Sequence, residues 1–135
     1  MIVTFSGFPA SFSWQANGMA RLFCGTSGFS YPTWKPEFYP EKLAANKFLA
    51  HYATRLNAVE INYTYHRLPS PATIEGWLAD TPPGFVLALK AHQRLTHIQR
   101  LARSELTEVF FKSADALRMQ GRLGPVLFQL PPNLP

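Results

Sequence analysis

The sequence predicts an α/β fold with parallel strands, and two features of the chain support this. Short apolar segments with strand character alternate with segments of helical period, and this order requires parallel strands joined by right-handed crossovers. The segment Phe85–Lys90 is apolar on both faces until Lys90, as is typical of a strand that is covered on both sides. A length of 135 residues with 47% hydrophobic content is sufficient for one such domain with a core.

Composition restricts the compartment and the partners of the chain. The single cysteine, Cys24, excludes an internal disulfide and a cysteine-based zinc site, and it favours a cytoplasmic location. No apolar run approaches the roughly 20 residues that span a bilayer, so we expect no membrane association. A net charge of +5 and a pI near 9.7 favour anionic partners without singling out nucleic acid.

The first eighteen residues differ from the remainder of the chain. Residues 1–18 contain no charged side chain and show no clear period. They also lack the basic start and the continuous apolar middle of a secretory signal. We therefore expect a poorly ordered extension over residues 1–18 and a domain over residues 19–135.

The first predicted strand, Arg21–Cys24, leads directly into a glycine-flanked turn. In Gly25–Gly28 two glycines enclose Thr26 and Ser27, and the backbone N–H groups of such a strand exit can face a ligand. An ordinary turn is the alternative interpretation. Three prolines between residues 29 and 40 then exclude a regular helix in the aromatic segment that follows.

A carboxylate occupies the middle of the second predicted strand, Ala58–Asn62. The two-residue period of a strand places the apolar residues on one face and Glu60 and Asn62 on the other. Burying an unpartnered charge is costly, so Glu60 requires a partner or a water-filled cavity. An ion pair with Lys90 that only stabilises the sheet is the alternative.

Three helices are predicted between the strands. An apolar stripe of helical period predicts the first over Ala45–Leu56. Ser70 followed by Pro71 is a favourable start for the second, which Thr81–Gly84 ends. The third is predicted over Ser104–Gly121, with acidic residues near its N-terminus and glycine at its stop.

The remaining segments are predicted as two loops and a last strand. Tyr63–Pro69 is expected to form a polar and aromatic loop. Residues 90–103 contain no acidic side chain and four basic ones, which favour either a solvated basic surface or an anion site. Gly124–Pro132 is predicted as a fourth strand interrupted by prolines.

Polar residues collect at the carboxyl ends of the predicted strands. The ends carry Gly25–Gly28, Glu60 with Asn62, Lys90 and Gln129. Parallel strands bring their carboxyl ends to one edge of the sheet, and ligands bind at that edge in parallel α/β folds. The sequence therefore predicts a ligand site there.

Seven short motifs follow one another along the chain. They are Gly25–Pro32, Val59–Asn62, Arg67–Pro71, Thr81–Phe85, Leu89–Ala91, Thr96–His97 and Gly124–Pro132. This ordered set resembles the DUF72 family, also called YecE-like proteins. The resemblance covers Arg21–Pro135, and the chain departs from the family pattern at Tyr63 and His66.

This resemblance implies a TIM-type (β/α) barrel whose biochemical activity is not established. Family members are about twice as long, so the chain is expected to form an incomplete half-barrel of about four parallel strands and three helices. Two open sheet edges would remain, through which two copies could associate. A truncated fragment without activity is one reading of such a chain.

The leading functional hypothesis is an enzyme, of hydrolase or lyase type when full length, that acts on a small anionic substrate at the C-terminal face of the barrel. The substrate is expected to be phosphorylated or sugar-like. Glu60 is the predicted general base or acid, with a role as metal ligand as the alternative, and Lys90 and His97 neutralise negative charge. The predicted substrate-binding residues are Thr26, Ser27, Asn62, Arg67 and Gln129.

A module that binds nucleic acid or another polyanion is the alternative. It would use the basic residues of 90–103 interleaved with rings, and its affinity would fall steeply with salt. The sequence identifies no cofactor. We assign no metal, because no HxH or HExxH spacing occurs.

Overall fold

The structure, a computed structural model, describes residues 2–4 and 21–133. Its strands are β1 (Ile2–Thr4), β2 (Phe23–Gly25), β3 (Ala58–Ile61), β4 (Val86–Lys90) and β5 (Leu123–Leu127). Its α-helices are α1 (Phe48–Tyr52), α2 (Tyr63–His66), α3 (Pro71–Asp80) and α4 (Glu105–Met119). Short 3-10 turns at Pro32–Trp34 and Ala45–Lys47 and a π-helical turn at Arg94–Ile98 complete the elements. No helix within these two ranges is long and apolar enough to cross a membrane.

A parallel sheet forms the centre of the molecule. Strands β3, β4 and β5 are adjacent in that order and pair in parallel. Strand β2 lies beside β3 through one parallel bridge, Ser27 to Glu60, and β1 pairs with β2 in antiparallel orientation. The predicted α/β class with parallel strands is confirmed. Most of the extension expected over residues 1–18 lies outside the described residues.

The two faces of the sheet have different roles. Val59 and Ile61 of β3 are buried in the main core beneath the helices, together with alternate residues of β4. On the opposite face, Ala58 forms a small apolar cluster with Phe23 and Val86. Because side chains alternate along a strand, Glu60, which is two residues after Ala58, lies on the same face as Ala58. Glu60 is therefore placed away from the helical layer.

Two helices begin as their cap residues predict. The Ser70 side chain accepts a hydrogen bond from the N–H of Thr73 at 3.2 Å, and Pro71 occupies the first turn of α3. Ser104 and Thr107 form a capping box at the start of α4. The buried face of α4 then packs on the sheet through Phe110, Ala114 and Leu117.

Two predicted elements differ in their extent from the structure. The first helix is shorter than Ala45–Leu56, since it starts with a 3-10 turn and α1 ends at Tyr52. The loop predicted over Tyr63–Pro69 is wrong at its start, where α2 forms. Thr64 explains this turn of helix, because its buried hydroxyl donates to the carbonyl oxygens of Ile61 at 2.8 Å and Lys90 at 2.6 Å.

The last strand is also shorter than predicted. Strand β5 ends at Leu127, so Gln129 lies beyond the strand and is exposed. The apolar residues Leu127, Phe128 and Leu130 are 37 to 41% exposed along this side of the sheet. Phe128 packs only partly, with its ring 6.2 Å from that of Phe110. Within the described ranges, β5 is an open edge with an apolar border.

Candidate functional site

The glycine-flanked turn after β2 is held along β3. The Glu60 N–H donates to the Thr26 carbonyl at 3.0 Å, and the Gly28 N–H donates to the Glu60 carbonyl at 2.8 Å. Gly25 permits this approach, because a Cβ there would collide with the Ala58 carbonyl group. Gly28 has a φ of +80°, a conformation that glycine adopts without strain. The turn is therefore fixed at the carboxyl end of the sheet.

Three predicted site residues form a hydrogen-bonded chain at this edge. The Ser27 hydroxyl donates to Glu60 Oε1 at 2.8 Å, and Asn62 Nδ2 donates to Ser27 Oγ at 2.9 Å. Glu60 is only 6% exposed. Its second oxygen, Oε2, receives no hydrogen bond from any described residue, yet it is not sealed from solvent. One carboxylate oxygen is thus oriented by the protein, while the other accepts no hydrogen bond from the described residues.

Lys90 and His97 meet on the ring of Tyr65. The Lys90 ammonium lies 4.8 Å from the centroid of the Tyr65 ring, a cation–π geometry. The His97 ring meets the same tyrosine edge-on, with 5.9 Å between ring centroids. His97 Nδ1 lies 2.8 Å from the Thr96 hydroxyl.

The register relates the carboxylate to this basic pair. Glu60 of β3 is paired with Ala88 of β4, and Lys90 is two residues farther toward the carboxyl end. A two-residue step corresponds to roughly 7 Å along a strand. Glu60 and Lys90 form no ion pair in the part of the chain that is described, where the ion pairs are Arg103–Glu108 and Arg118–Asp115. Within the described residues, neither charge is therefore neutralised by the other.

The other predicted substrate-binding residues, Thr26, Arg67 and Gln129, do not belong to the chain of Ser27, Glu60 and Asn62. The Thr26 hydroxyl lies 2.7 Å from the Gly28 carbonyl and 2.9 Å from the Tyr52 hydroxyl, so it holds the turn together. Arg67 is exposed and its side chain makes no hydrogen bond to a described residue. Gln129 is exposed beyond β5. The structure brings Ser27, Glu60 and Asn62 together, and it brings Lys90 together with His97.

Two tyrosines support the site, although sequence reasoning did not select them. Tyr65 connects Lys90 to His97, and its position in an aromatic segment next to a predicted site strand was the only signal. The buried Tyr52 hydroxyl donates to the Ala58 carbonyl at 3.0 Å and receives the Thr26 N–H at 2.8 Å. Burial raises the pKa of the Tyr52 phenol above its ordinary value of 10.0, so this hydroxyl stays protonated.

His92 is a buried histidine of structural character near the basic segment. It is 7% exposed. The Arg94 N–H donates to its Nδ1 at 3.1 Å, so its Nε2 carries the proton that faces the His66 carbonyl at 3.1 Å. Burial, with a smaller contribution from nearby Arg94, lowers the pKa of the His92 imidazole below 6.5.

This lowered pKa predicts a pH-dependent stability. Below pH 6.5 the unfolded chain binds a proton at His92 more readily than the folded chain does, so stability falls as the pH falls toward the folded-state pKa. Urea unfolding at a series of pH values should show this decline, and His92→Gln should flatten it. His51→Gln changes a histidine that does not act on His92, so it is the matched control and should keep the slope. Equal slopes in the wild type and His92→Gln would contradict the assignment.

The larger cavities of the molecule do not all lie at this edge. A groove of about 450 Å³ lies between α3 and α4, on the outer side of the helical layer, and it contains none of the predicted catalytic residues. A cavity of about 370 Å³ lies next to Asn62 at the carboxyl end of the sheet. Among the described residues, no group of three or more His, Cys, Asp or Glu side chains is arranged to hold a metal ion.

Known proteins provide an independent comparison for this fold. Residues 23–135 match the family model described as DUF72, protein of unknown function. The UPF0759 protein YunF of Bacillus subtilis (strain 168) is 30% identical over 99 residues, which cover 70% of this chain and 35% of that protein.

Solved structures of DUF72 family proteins match the same part of the chain. One from Thermotoga maritima MSB8 is 34% identical with a TM-score of 0.69, and the match covers 81% of this chain and 44% of that one. One from Enterococcus faecalis V583 is 22% identical with a TM-score of 0.64, over 81% of this chain and 39% of that one, and it shows the fold alone.

The chain thus spans less than half the length of the relatives it matches. The sequence predicts an incomplete half-barrel of about four parallel strands and three helices. The structure is an α/β fold with a three-stranded parallel sheet, which corresponds to part of the TIM-barrel-like structure of these relatives. Because the family model covers most of the chain and agrees with the structural match, this protein belongs to the DUF72 family.

Proposed function

We propose that the carboxyl edge of the sheet is the site of an enzyme that acts on a small anionic substrate, phosphorylated or sugar-like. The observation that carries this proposal is the chain from Asn62 through Ser27 to Glu60, which orients a nearly buried carboxylate and leaves one of its oxygens unbonded by the described residues. Glu60 acts as the general base or acid. Hydrolases and lyases both need such a group within reach of the transferred proton.

The charge of the substrate is matched by the basic pair on the same side. Lys90 lies one pleat beyond Glu60 and is held by the Tyr65 ring, while His97 contacts that ring from its edge. A fixed ammonium close to a developing negative charge stabilises it more than a freely moving one does, because little reorganisation is needed. Lys90 and His97 therefore bind the anionic group, and Glu60 faces the reacting centre.

The extent of the family match sets the scope of this proposal. The Bacillus and Thermotoga relatives are more than twice as long as the part that matches this chain. The residues described above belong to one portion of the face at which ligands bind in such barrels. Hydrolase or lyase activity is proposed for the whole protein on the basis of these residues.

A binding module for nucleic acid or another polyanion is the second candidate. Residues 98–101 support it, because Ile98 and Leu101 are 70% and 50% exposed and Arg100 is exposed beside them. Arg100 and Leu101 also adopt positive φ values of 49° and 67°, which is unfavourable for side chains other than glycine. This strained tip presents basic and apolar groups to solvent.

Lys90→Met is the variant that tests the anion-binding part of the proposal. Phosphorylated sugars and polyols would be incubated with the protein, and binding and turnover would be followed by calorimetry and ³¹P NMR. We expect Lys90→Met to weaken binding about tenfold or more, which corresponds to roughly 1.4 kcal/mol for one lost charge-assisted contact. Lys112→Met changes an exposed lysine on α4 and should leave binding unchanged.

Salt dependence separates the two candidates. A small-molecule pocket should lose little affinity between low and physiological salt, whereas a polyanion contact through several basic residues should lose orders of magnitude. Equal binding by the wild type and Lys90→Met, together with a steep salt slope for an oligonucleotide, would favour the binding module and contradict the enzyme.

A further inference from the structure

A cavity adjoins the hydrogen-bonded chain of Asn62, Ser27 and Glu60. It is the cavity of about 370 Å³ at the carboxyl end of β3, a size typical of small-molecule sites. Asn62 lines this cavity and also donates to Ser27, which in turn donates to Glu60. Ser27 therefore connects Asn62 in the cavity wall to the Glu60 carboxylate.

Four of the eight residues that line the cavity are aromatic, namely Phe29, Tyr31, Tyr63 and Trp77. Tyr63 is 44% exposed and Tyr31 is 37% exposed. Tyr63 meets Trp77 edge-on, with ring centroids 6.0 Å apart and planes at 81°. Tyr31 is fixed in place because its hydroxyl donates to the Ser27 carbonyl at 2.8 Å. The rings of Tyr31 and Tyr63 therefore stay partly open beside the site, whereas Trp77 is buried behind Tyr63.

The polar atoms of the wall are neutral. No Lys, Arg, His, Asp or Glu lines the cavity. Asn62 Oδ1, Ser30 Oγ and the Tyr63 hydroxyl make no hydrogen bond to another described residue, so one amide acceptor and two hydroxyls are free for a ligand. A charged group would find no partner here, whereas a neutral group with several hydroxyls would find both donors and acceptors.

Aromatic rings combined with neutral polar groups indicate the kind of ligand that the cavity binds. A hydroxylated sugar ring has apolar C–H faces that pack on aromatic rings and a rim of hydroxyls that bond to amide and hydroxyl groups. A nucleobase would be better served by two parallel rings, but Tyr63 and Trp77 are nearly perpendicular. The anionic end of a substrate has its partners at Lys90 and His97 instead.

We propose that the cavity lined by Tyr31, Tyr63 and Asn62 binds the neutral, hydroxylated ring of a sugar at the same end of the sheet as Glu60. This inference rests on the proposed function and deepens it. The substrate class becomes a sugar derivative whose ring lies in the aromatic cavity and whose anionic group faces the basic pair. Ser27 and Asn62 connect the ring-binding wall to the carboxylate.

Neutral methyl glycosides test the cavity without the anionic group. The ¹⁵N-labelled protein would be titrated with the methyl α-pyranosides of D-glucose, D-galactose and D-mannose, and the amide signals followed by NMR. At least one should shift the signals of residues 28–31 and 61–63. Tyr63→Ala should weaken that binding about tenfold, roughly 1.4 kcal/mol, and Tyr63→Phe should weaken it less. Phe111→Ala, which removes a similarly exposed ring on α4, should leave it unchanged.

Two outcomes would overturn the inference. One is that none of the three glycosides shifts these signals up to its solubility limit. The other is that adenosine shifts them with the same dependence on Tyr63, because that result would identify a nucleobase site.

Glu60→Gln keeps this test separate from the proposed function. The variant should still bind the glycoside, since Glu60 does not line the cavity. If glycosides fail to bind while Glu60→Gln abolishes turnover, only the sugar subsite is wrong. If glycosides bind through Tyr63 while Glu60→Gln leaves turnover unchanged, the subsite stands and the catalytic proposal fails.

Discussion

Glu60→Gln is expected to lower turnover of the substrate by about 100-fold or more, while the protein remains folded. General acid–base catalysis by one positioned group contributes about 10² to 10⁴ in rate. Glutamine has nearly the same shape and can still accept the hydrogen bond that Ser27 donates at 2.8 Å. It cannot accept or release a proton, so the variant removes the proposed chemistry and keeps the local geometry.

Glu75→Gln is the matched control for this prediction. Glu75 is exposed on α3, and the same change of charge there should leave the rate within about twofold, because surface charges at a distance are screened by salt. Steady-state kinetics of the three proteins, with circular dichroism to confirm folding, measure the effect. Equal rates for the wild type and Glu60→Gln would remove Glu60 from the mechanism.

Gly25→Ala is expected to have the largest effect on stability, lowering the free energy of unfolding by about 3 kcal/mol. An alanine Cβ would collide with the carbonyl group of Ala58, which belongs to the backbone of β3 and cannot rotate away. Inserting one methyl group into a packed contact of this kind costs up to about 3 kcal/mol. The bridge between Ser27 and Glu60 follows directly after this contact, so the site is expected to be disturbed as well.

Gly76→Ala, in contrast, is not expected to lower the free energy of unfolding. Gly76 lies within α3, and a Cβ there would meet no atom within 4 Å. Alanine is favoured over glycine in a helix by about 1 kcal/mol, so this variant should be as stable as the wild type or more so. Urea unfolding of both variants measures the difference. Equal stability of the two would show that β2 does not approach β3 as the structure describes.

Several parts of the fold follow from local sequence because the responsible contacts are local. The alternation of Val59 and Ile61 with Glu60 predicts the two faces of β3, and the structure shows both. The Ser70 and Ser104 caps predict the starts of α3 and α4, since a cap depends only on the next three residues. The parallel order of β3, β4 and β5 follows from the helices between them.

Other parts depend on contacts between distant segments. Helix α2 has four residues, too few to show a helical period, and it is held by the contact of Thr64 with the Lys90 carbonyl. The pairing of Tyr65 with Lys90 and His97 joins three segments and has no sequence signature of its own. The early end of β5, which leaves Gln129 outside the strand, has no local signal in the sequence either.

Mapping a phosphorylated polyol onto the chain is the most direct test of the claim that Glu60 and the basic pair serve one small anion. The ¹⁵N-labelled protein would be titrated with glycerol 3-phosphate at physiological salt. The account predicts shifts at residues 26–28, 60–62, 90 and 97 that saturate together with a single dissociation constant. Shifts confined to residues 98–103, or to the groove between α3 and α4, would contradict it.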